Sequence, residues 1–143
     1  MQNYKKNHNF VGKKIINMNN NHVCLVCLGS NVDGIFHLKN AHAALMQFFY
    51  KVEMGNQITT PAEGDVIQPD YINQAARFVT DLAPHDVILL LKQIEKDNGR
   101  KAEDKLRGRV PLDIDLLMYD EEVLKPLDMN KTYVQRAIQS LLF

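Results

Sequence analysis

Apolar and polar positions change rhythm several times along the chain, and each change marks an element. HVCLVCLGS, residues 22 to 30, is apolar and closed by glycine, which reads as a central strand. From Gly34 to about Lys51, Ile35, Leu38, Ala41, Leu45, Phe48 and Phe49 recur at helical spacing, so an amphipathic helix follows. VEMGNQITT, residues 52 to 60, reads as a second strand, and Pro61 to Pro69 as a loop. YINQAARFVTDL alternates loosely through Ile72, Ala75 or Ala76, Phe78 and Val79, consistent with a third strand. Pro84 opens HDVILLLKQIEKDNG, where Val87, Leu90, Leu91 and Ile94 form a helical stripe and Asn98-Gly99 supplies the stop. A basic loop from Arg100 to Arg109 leads into PLDIDLLMYD, residues 111 to 120, the last strand.

The order strand, helix, strand, strand, helix, strand predicts an α+β fold. Right-handed crossovers give a ferredoxin-like βαββαβ sandwich, a four-stranded, mostly antiparallel sheet with both helices on one face. Val134, Ala137, Ile138, Leu141 and Leu142 are spaced for one further amphipathic helix. Residues 1 to 22 are rich in asparagine and lysine and hold no acidic residue, so they are expected to be a flexible tail, with FVGKKIIN a candidate edge strand. Residues 23 to 143 are expected to form a single domain with a shortened C-terminus.

Composition narrows the classes. At 143 residues the chain can bury one core without disulfides or a structural metal. Lysine plus arginine equals aspartate plus glutamate at 17 each, which argues against a broad nucleic-acid footprint. No apolar stretch approaches the ~20 residues of a membrane span. The expectation is a cytoplasmic protein with no nucleic acid and no membrane among its partners, acting as a monomer or weak dimer. Cys24 and Cys27, three apart, fall on opposite faces of a strand and suit neither a disulfide nor one metal.

Candidate chemistry centres on Asp113 and Asp115, which a strand projects to the same face. Paired carboxylates are hard oxygen ligands of the kind Mg²⁺ prefers, usually completed by water and substrate phosphates. Arg100, Lys101, Lys105, Arg107 and Arg109 lie just upstream. An acidic pair beside a basic loop suits metal-assisted phosphoryl transfer. On the residues alone an exposed strand face and a solvated loop fit equally well.

Four blocks change those odds: LGSN at 28 to 31, TPAEGDVIQPDYINQA at 60 to 75, LAPHDVILLLKQIEKDNGR at 82 to 100, and LDIDLLMYDEEVL at 112 to 124. In this order the chain resembles the 6-hydroxymethyl-7,8-dihydropterin pyrophosphokinase family of folate biosynthesis, over roughly residues 23 to 124. The resemblance implies an ATP-dependent diphosphotransferase that moves pyrophosphate from ATP to the pterin hydroxymethyl and releases AMP. It implies Asp113 and Asp115 as ligands of two Mg²⁺ ions, with Arg100 and Arg109 as catalytic cations. It gives Tyr71 and Asn73 to stacking and hydrogen-bonding the pterin, Thr60, Pro61, Gly29 and Asn31 to lining that pocket, and Tyr133 to its second face. Glu95, Arg107 and Lys131 match positions near the nucleotide.

Departures are equally visible. Val110 stands where the family writes an arginine, with Arg109 one residue away and facing the other side of an extended chain. Ala102, Glu103 and Leu106 replace residues that are often basic in the family, and the proline-histidine segment expected before Lys131 lacks its histidine. The alternative reading is a catalytically impaired relative that binds a pterin, a nucleotide or a partner.

Overall fold

The computed structural model describes residues 8–11, 14–17, 21–61 and 69–141. Among them, β1 (His8–Val11) and β2 (Lys14–Asn17) pair antiparallel with each other in a separate two-stranded sheet. The segment expected as a tail therefore holds a hairpin, and FVGKKIIN adds no strand to the main sheet. The rest of the expected tail, up to residue 20, lies outside the described residues, as does most of the expected loop, residues 62 to 68.

The elements that follow are β3 (His22–Ser30), α1 (Gly34–Phe48), β4 (Tyr50–Met54), β5 (Ile58–Thr60) and β6 (Tyr71–Thr80). After these come α2 (Pro84–Asp97), α3 (Ala102–Leu106), β7 (Asp113–Tyr119), β8 (Glu122–Val123), α4 (Pro126–Met129) and α5 (Thr132–Gln139). The fold is α+β, as the pattern predicts. Its sheet has six strands instead of four, in the order β4-β6-β3-β7-β8 with β5 also on β6, and every pairing is antiparallel.

Two local causes account for the extra strands. The strand expected over residues 52 to 60 breaks because α5 crosses close to its backbone: a Cβ at Gly55 would collide with Ser140 Oγ and lie 3.1 Å from Ala137 O. Gly55 N–H still reaches β6, at Ala75 O, at 2.8 Å, while Asn56 N–H turns to Ser140 Oγ at 2.8 Å. At the far edge, β7 turns back into β8 through Asp120 and Glu121, with Asp120 at φ 52°, as a two-residue hairpin requires.

Side-chain alternation divides the sheet. Cys24, Val26 and Leu28 of β3, Ala76 and Phe78 of β6, and Ile114 and Leu116 of β7 form one core with Leu38, Ala41 and Leu45 of α1 and Val87, Leu91 and Ile94 of α2. Phe49 and Phe78 stack within it at 3.9 Å between ring centres. Both long helices thus cover one face, at about 1.5–3 kcal/mol for each fully buried large apolar side chain. The amphipathic pattern expected near the C-terminus is α5, which packs Val134 on Cys27 and Leu117, and Ala137 on Ala75, across the opposite face. Leu142 lies outside the described residues. Cys24 and Cys27 are buried, free and on opposite faces of β3.

Candidate active site

The face that α1 and α2 do not cover holds the candidate site residues. With Ile114 and Leu116 committed to the core, the strand period sends Asp113 and Asp115 to the other side. Asp113 pairs with Gly29 on β3, and Gly29 pairs in turn with Asn73 on β6. An amide, a glycine and a carboxylate therefore lie in one row across three strands. A side chain at Gly29 would fill this floor: its Cβ would lie 3.1 Å from Asn73 Oδ1 and 3.7 Å from Tyr71 Cδ2.

Above the row opens a cleft of about 380 Å³. Gly29, Thr60, Pro61, Tyr71, Asn73, Asp113, Asp115, Asp128, Lys131 and Tyr133 line it, with the buried Cys27 in its wall. Asn73 Nδ2 donates to Thr60 Oγ1 at 2.7 Å, which fixes the amide and turns its carbonyl oxygen over Gly29. The Lys131 ammonium lies 3.5 Å from Asp128 and 5.9 Å above the Tyr133 ring.

Each strand carboxylate faces a cation. Arg100 Nη1 donates to Asp113 Oδ1 at 2.6 Å and to Leu112 O at 3.2 Å, and lies 3.5 Å from Glu95 Oε2. The end of α2 places it there. Arg100 N–H bonds back to Glu95 O and Gly99 N–H to Lys96 O, with Gly99 at φ 87°, the double bond that closes helices on a left-handed glycine. Asp115 Oδ1 accepts from Lys125 Nζ at 3.0 Å.

Burial pushes the Asp115 carboxyl above its ordinary range, Asp113 adds to the shift, and Lys125 opposes it. Burial likewise raises Glu95, against the Ile114 N–H and Arg100. The Cys27 thiol is pushed up to about 12, first by burial and then by Asp115 and Asp113, which keeps it an unreactive thiol.

The sequence-derived residues divide three ways. Gly29, Thr60, Pro61, Tyr71, Asn73, Asp113, Asp115, Lys131 and Tyr133 meet in the cleft, and Arg100 joins them through Asp113. Asn31 and Glu95 are buried beside it. Asn31 ties the basic loop to β3, accepting Val110 N–H and donating to Gly108 O, both at 2.7 Å; Glu95 Oε2 accepts the Ile114 N–H at 2.8 Å. Arg107 and Arg109 are exposed and outside the lining, and Val110 is buried.

Lys125 and Asp128 escape the sequence reading. The signal for Lys125 is the two-residue turn after β7: Leu124 N–H reaches Leu117 O at 2.8 Å, so the next residue falls back beside Asp115.

Residues 25–142 match the family model described as 7,8-dihydro-6-hydroxymethylpterin-pyrophosphokinase. A folate synthesis bifunctional protein of Arabidopsis thaliana is 46% identical over 52 residues, 36% of this chain and 11% of that protein. The 2-amino-4-hydroxy-6-hydroxymethyldihydropteridine pyrophosphokinase of Aquifex aeolicus is 33% identical over 99 residues, 68% of this chain and 61% of the relative. Its namesake in Haemophilus influenzae is 31% identical over 113 residues, 70% of this chain and 64% of the relative. The chain spans less than two thirds of the length of each of these relatives. With the family model covering most of its length, the chain belongs to the 7,8-dihydro-6-hydroxymethylpterin-pyrophosphokinase family.

Proposed function

We propose that the protein transfers pyrophosphate from ATP to 6-hydroxymethyl-7,8-dihydropterin, releasing AMP, in folate biosynthesis. The observation that carries this reading is the shared cleft: two same-face carboxylates open onto the space that Tyr71, Asn73 and Tyr133 also line. The strand order, with β7, β3, β6 and β4 as neighbours, supports a ferredoxin-like core extended by β5 and β8. We take residues 23 to 143 as one domain.

Each group has a role its surroundings support. Tyr71 and Tyr133 offer aromatic faces to a flat heterocycle. With its amino group engaged by Thr60, Asn73 keeps its carbonyl oxygen to accept from the ring's edge. Asp113 and Asp115 form an all-oxygen donor set that fits Mg²⁺, and the bound ion would supply charge neutralisation for the phosphates. Arg100 holds Asp113 in place, and Lys131 stands at the cleft as a cation for the nucleotide. The pterin oxygen attacks the β-phosphorus in line, its proton leaves to solvent, and the bond to AMP breaks; positioning and charge carry the rate. Glu95 supports this site from beneath, and Arg107 and Arg109 on the exposed loop are available to the polyphosphate only from outside the cleft. Zero net charge supports small-molecule partners, and buried free thiols fit a reducing cytoplasm. A monomer or weak dimer completes the reading.

The test is AMP formation by the purified protein with ATP, Mg²⁺ and the pterin, with Asp113→Ala as control. AMP that requires both the pterin and Asp113 establishes the transfer. Absence of AMP with both ligands shown to bind would leave a binding protein and overturn it.

A further inference from the structure

The two cations that face Asp113 and Asp115 are held in different ways. Arg100 is 23% exposed and has three partners, Asp113, the Leu112 carbonyl and Glu95, on a backbone fixed by the α2 cap. Lys125 is 47% exposed, and among the described residues its ammonium has one hydrogen-bond partner, Asp115 Oδ1. It sits between β8 and α4, directly before Pro126, whose ring restricts the backbone while the side chain stays free to turn. One contact is a strut and the other a single exposed ion pair.

A divalent ion and an ammonium group seek the same lone pairs of a carboxylate oxygen. An exposed lysine pair contributes little and is easily given up, and a compact ammonium on a four-carbon stem can be re-aimed where a pinned guanidinium cannot. We infer that Lys125 is an exchangeable counter-charge: a divalent ion takes Asp115 from it, and the released ammonium then holds the polyphosphate of the incoming nucleotide at the cleft mouth. The role is positional and needs no bond made or broken by Lys125. It rests on the phosphoryl-transfer reading above, and it assigns to a lysine outside the quoted motifs the phosphate contact that the buried Val110 cannot make.

The experiment compares the full chain with Lys125→Met and Lys125→Arg. Mn²⁺ affinity is measured by calorimetry without nucleotide, then KM for ATP and kcat are measured at saturating Mg²⁺ and pterin. Removing the competitor is expected to tighten Mn²⁺ binding in Lys125→Met by up to about fivefold, a range set by a weak surface pair. The same variant is expected to raise KM for ATP, and Lys125→Arg to restore it. A merely structural role would weaken metal binding or leave it unchanged, so either result overturns the exchange. Tighter Mn²⁺ with an unaltered KM overturns the phosphate contact. If none of the three proteins forms AMP, the transfer reading and the phosphate contact both fall, while the Mn²⁺ comparison still decides the exchange.

Discussion

Glu95 on α2 and Ile114 on β7 are joined by a buried hydrogen bond, the carboxylate accepting the backbone N–H at 2.8 Å. Ile114 is the residue between the two cleft aspartates, so a helix side chain fixes the strand at the point where both carboxylates leave it. Replacing Glu95 by alanine leaves that N–H unsatisfied and removes a neighbour of Arg100. The expected cost is about 1–3 kcal/mol, read as a lower urea midpoint, with Glu95→Gln recovering most of it. An alanine variant as stable as the parent would show that the bond does no structural service.

Gly29→Ala tests the row across the three strands. The added methyl would press on Asn73 Oδ1, whose amide is held by Thr60, and would occupy the cleft floor beside Tyr71. We expect the melting temperature to change little and KM for the pterin to rise by about tenfold, the scale of one good hydrogen bond to a ligand lost. Steady-state kinetics with varied pterin is the check; an unchanged KM places the pterin elsewhere.

Asn31→Ala releases the basic loop. It deprives Val110 N–H and Gly108 O of their 2.7 Å partners inside the protein, a loss of about 1–3 kcal/mol. Trypsin should then cut faster after Arg107 and Arg109, which flank the Gly108 carbonyl that Asn31 holds. Cleavage at the parent rate would mean that the loop is anchored by something else.

Asp120 predicts a pH dependence. Its carboxylate accepts from His22 Nδ1 at 2.7 Å and from Val23 N–H at 2.9 Å, and these bonds, the histidine first, hold its carboxyl below the ordinary range. A depressed folded-state value stabilises the protein fully above the unfolded value near ~3.9 and is lost as pH falls through the folded value. Asp120→Ala should lower the melting temperature at pH 7, and the gap to the parent should close as the pH falls through the depressed folded-state value. Thermal scans across this range decide it; a gap independent of pH would assign the effect to the turn alone.

Much of this was legible in the residues themselves. Strand and helix periods recovered both long helices and the four principal strands, because each buries a regular face in one core. The division of residues 52 to 60 into β4 and β5 was not legible, since its cause is Ser140 and Ala137 crossing at Gly55, more than 80 positions away. Cleft membership followed the motifs for Asp113, Asp115, Tyr71 and Asn73. Glu95 is buried beneath the sheet and Arg107 and Arg109 are exposed outside the lining, a difference in placement that nearness to the DID strand in sequence does not reveal. Lys125 lies outside the quoted motifs, and its place beside Asp115 follows from the two-residue turn and register of the β7–β8 hairpin.

The cap at the end of α2 has a reach beyond ending a helix. Arg100 bonds to Glu95 twice over, its amide to the Glu95 carbonyl and its guanidinium beside the Glu95 carboxylate, and then to Asp113. The final helical turn and the charge of the cleft are thereby one mechanical unit. Any ligand that draws on the Arg100 guanidinium loads that turn, and any fraying of the turn withdraws the cation from Asp113. The amide protons of Gly99 and Arg100, both consumed by the cap, are thus reporters whose exchange with solvent registers events in a cleft that neither of them touches.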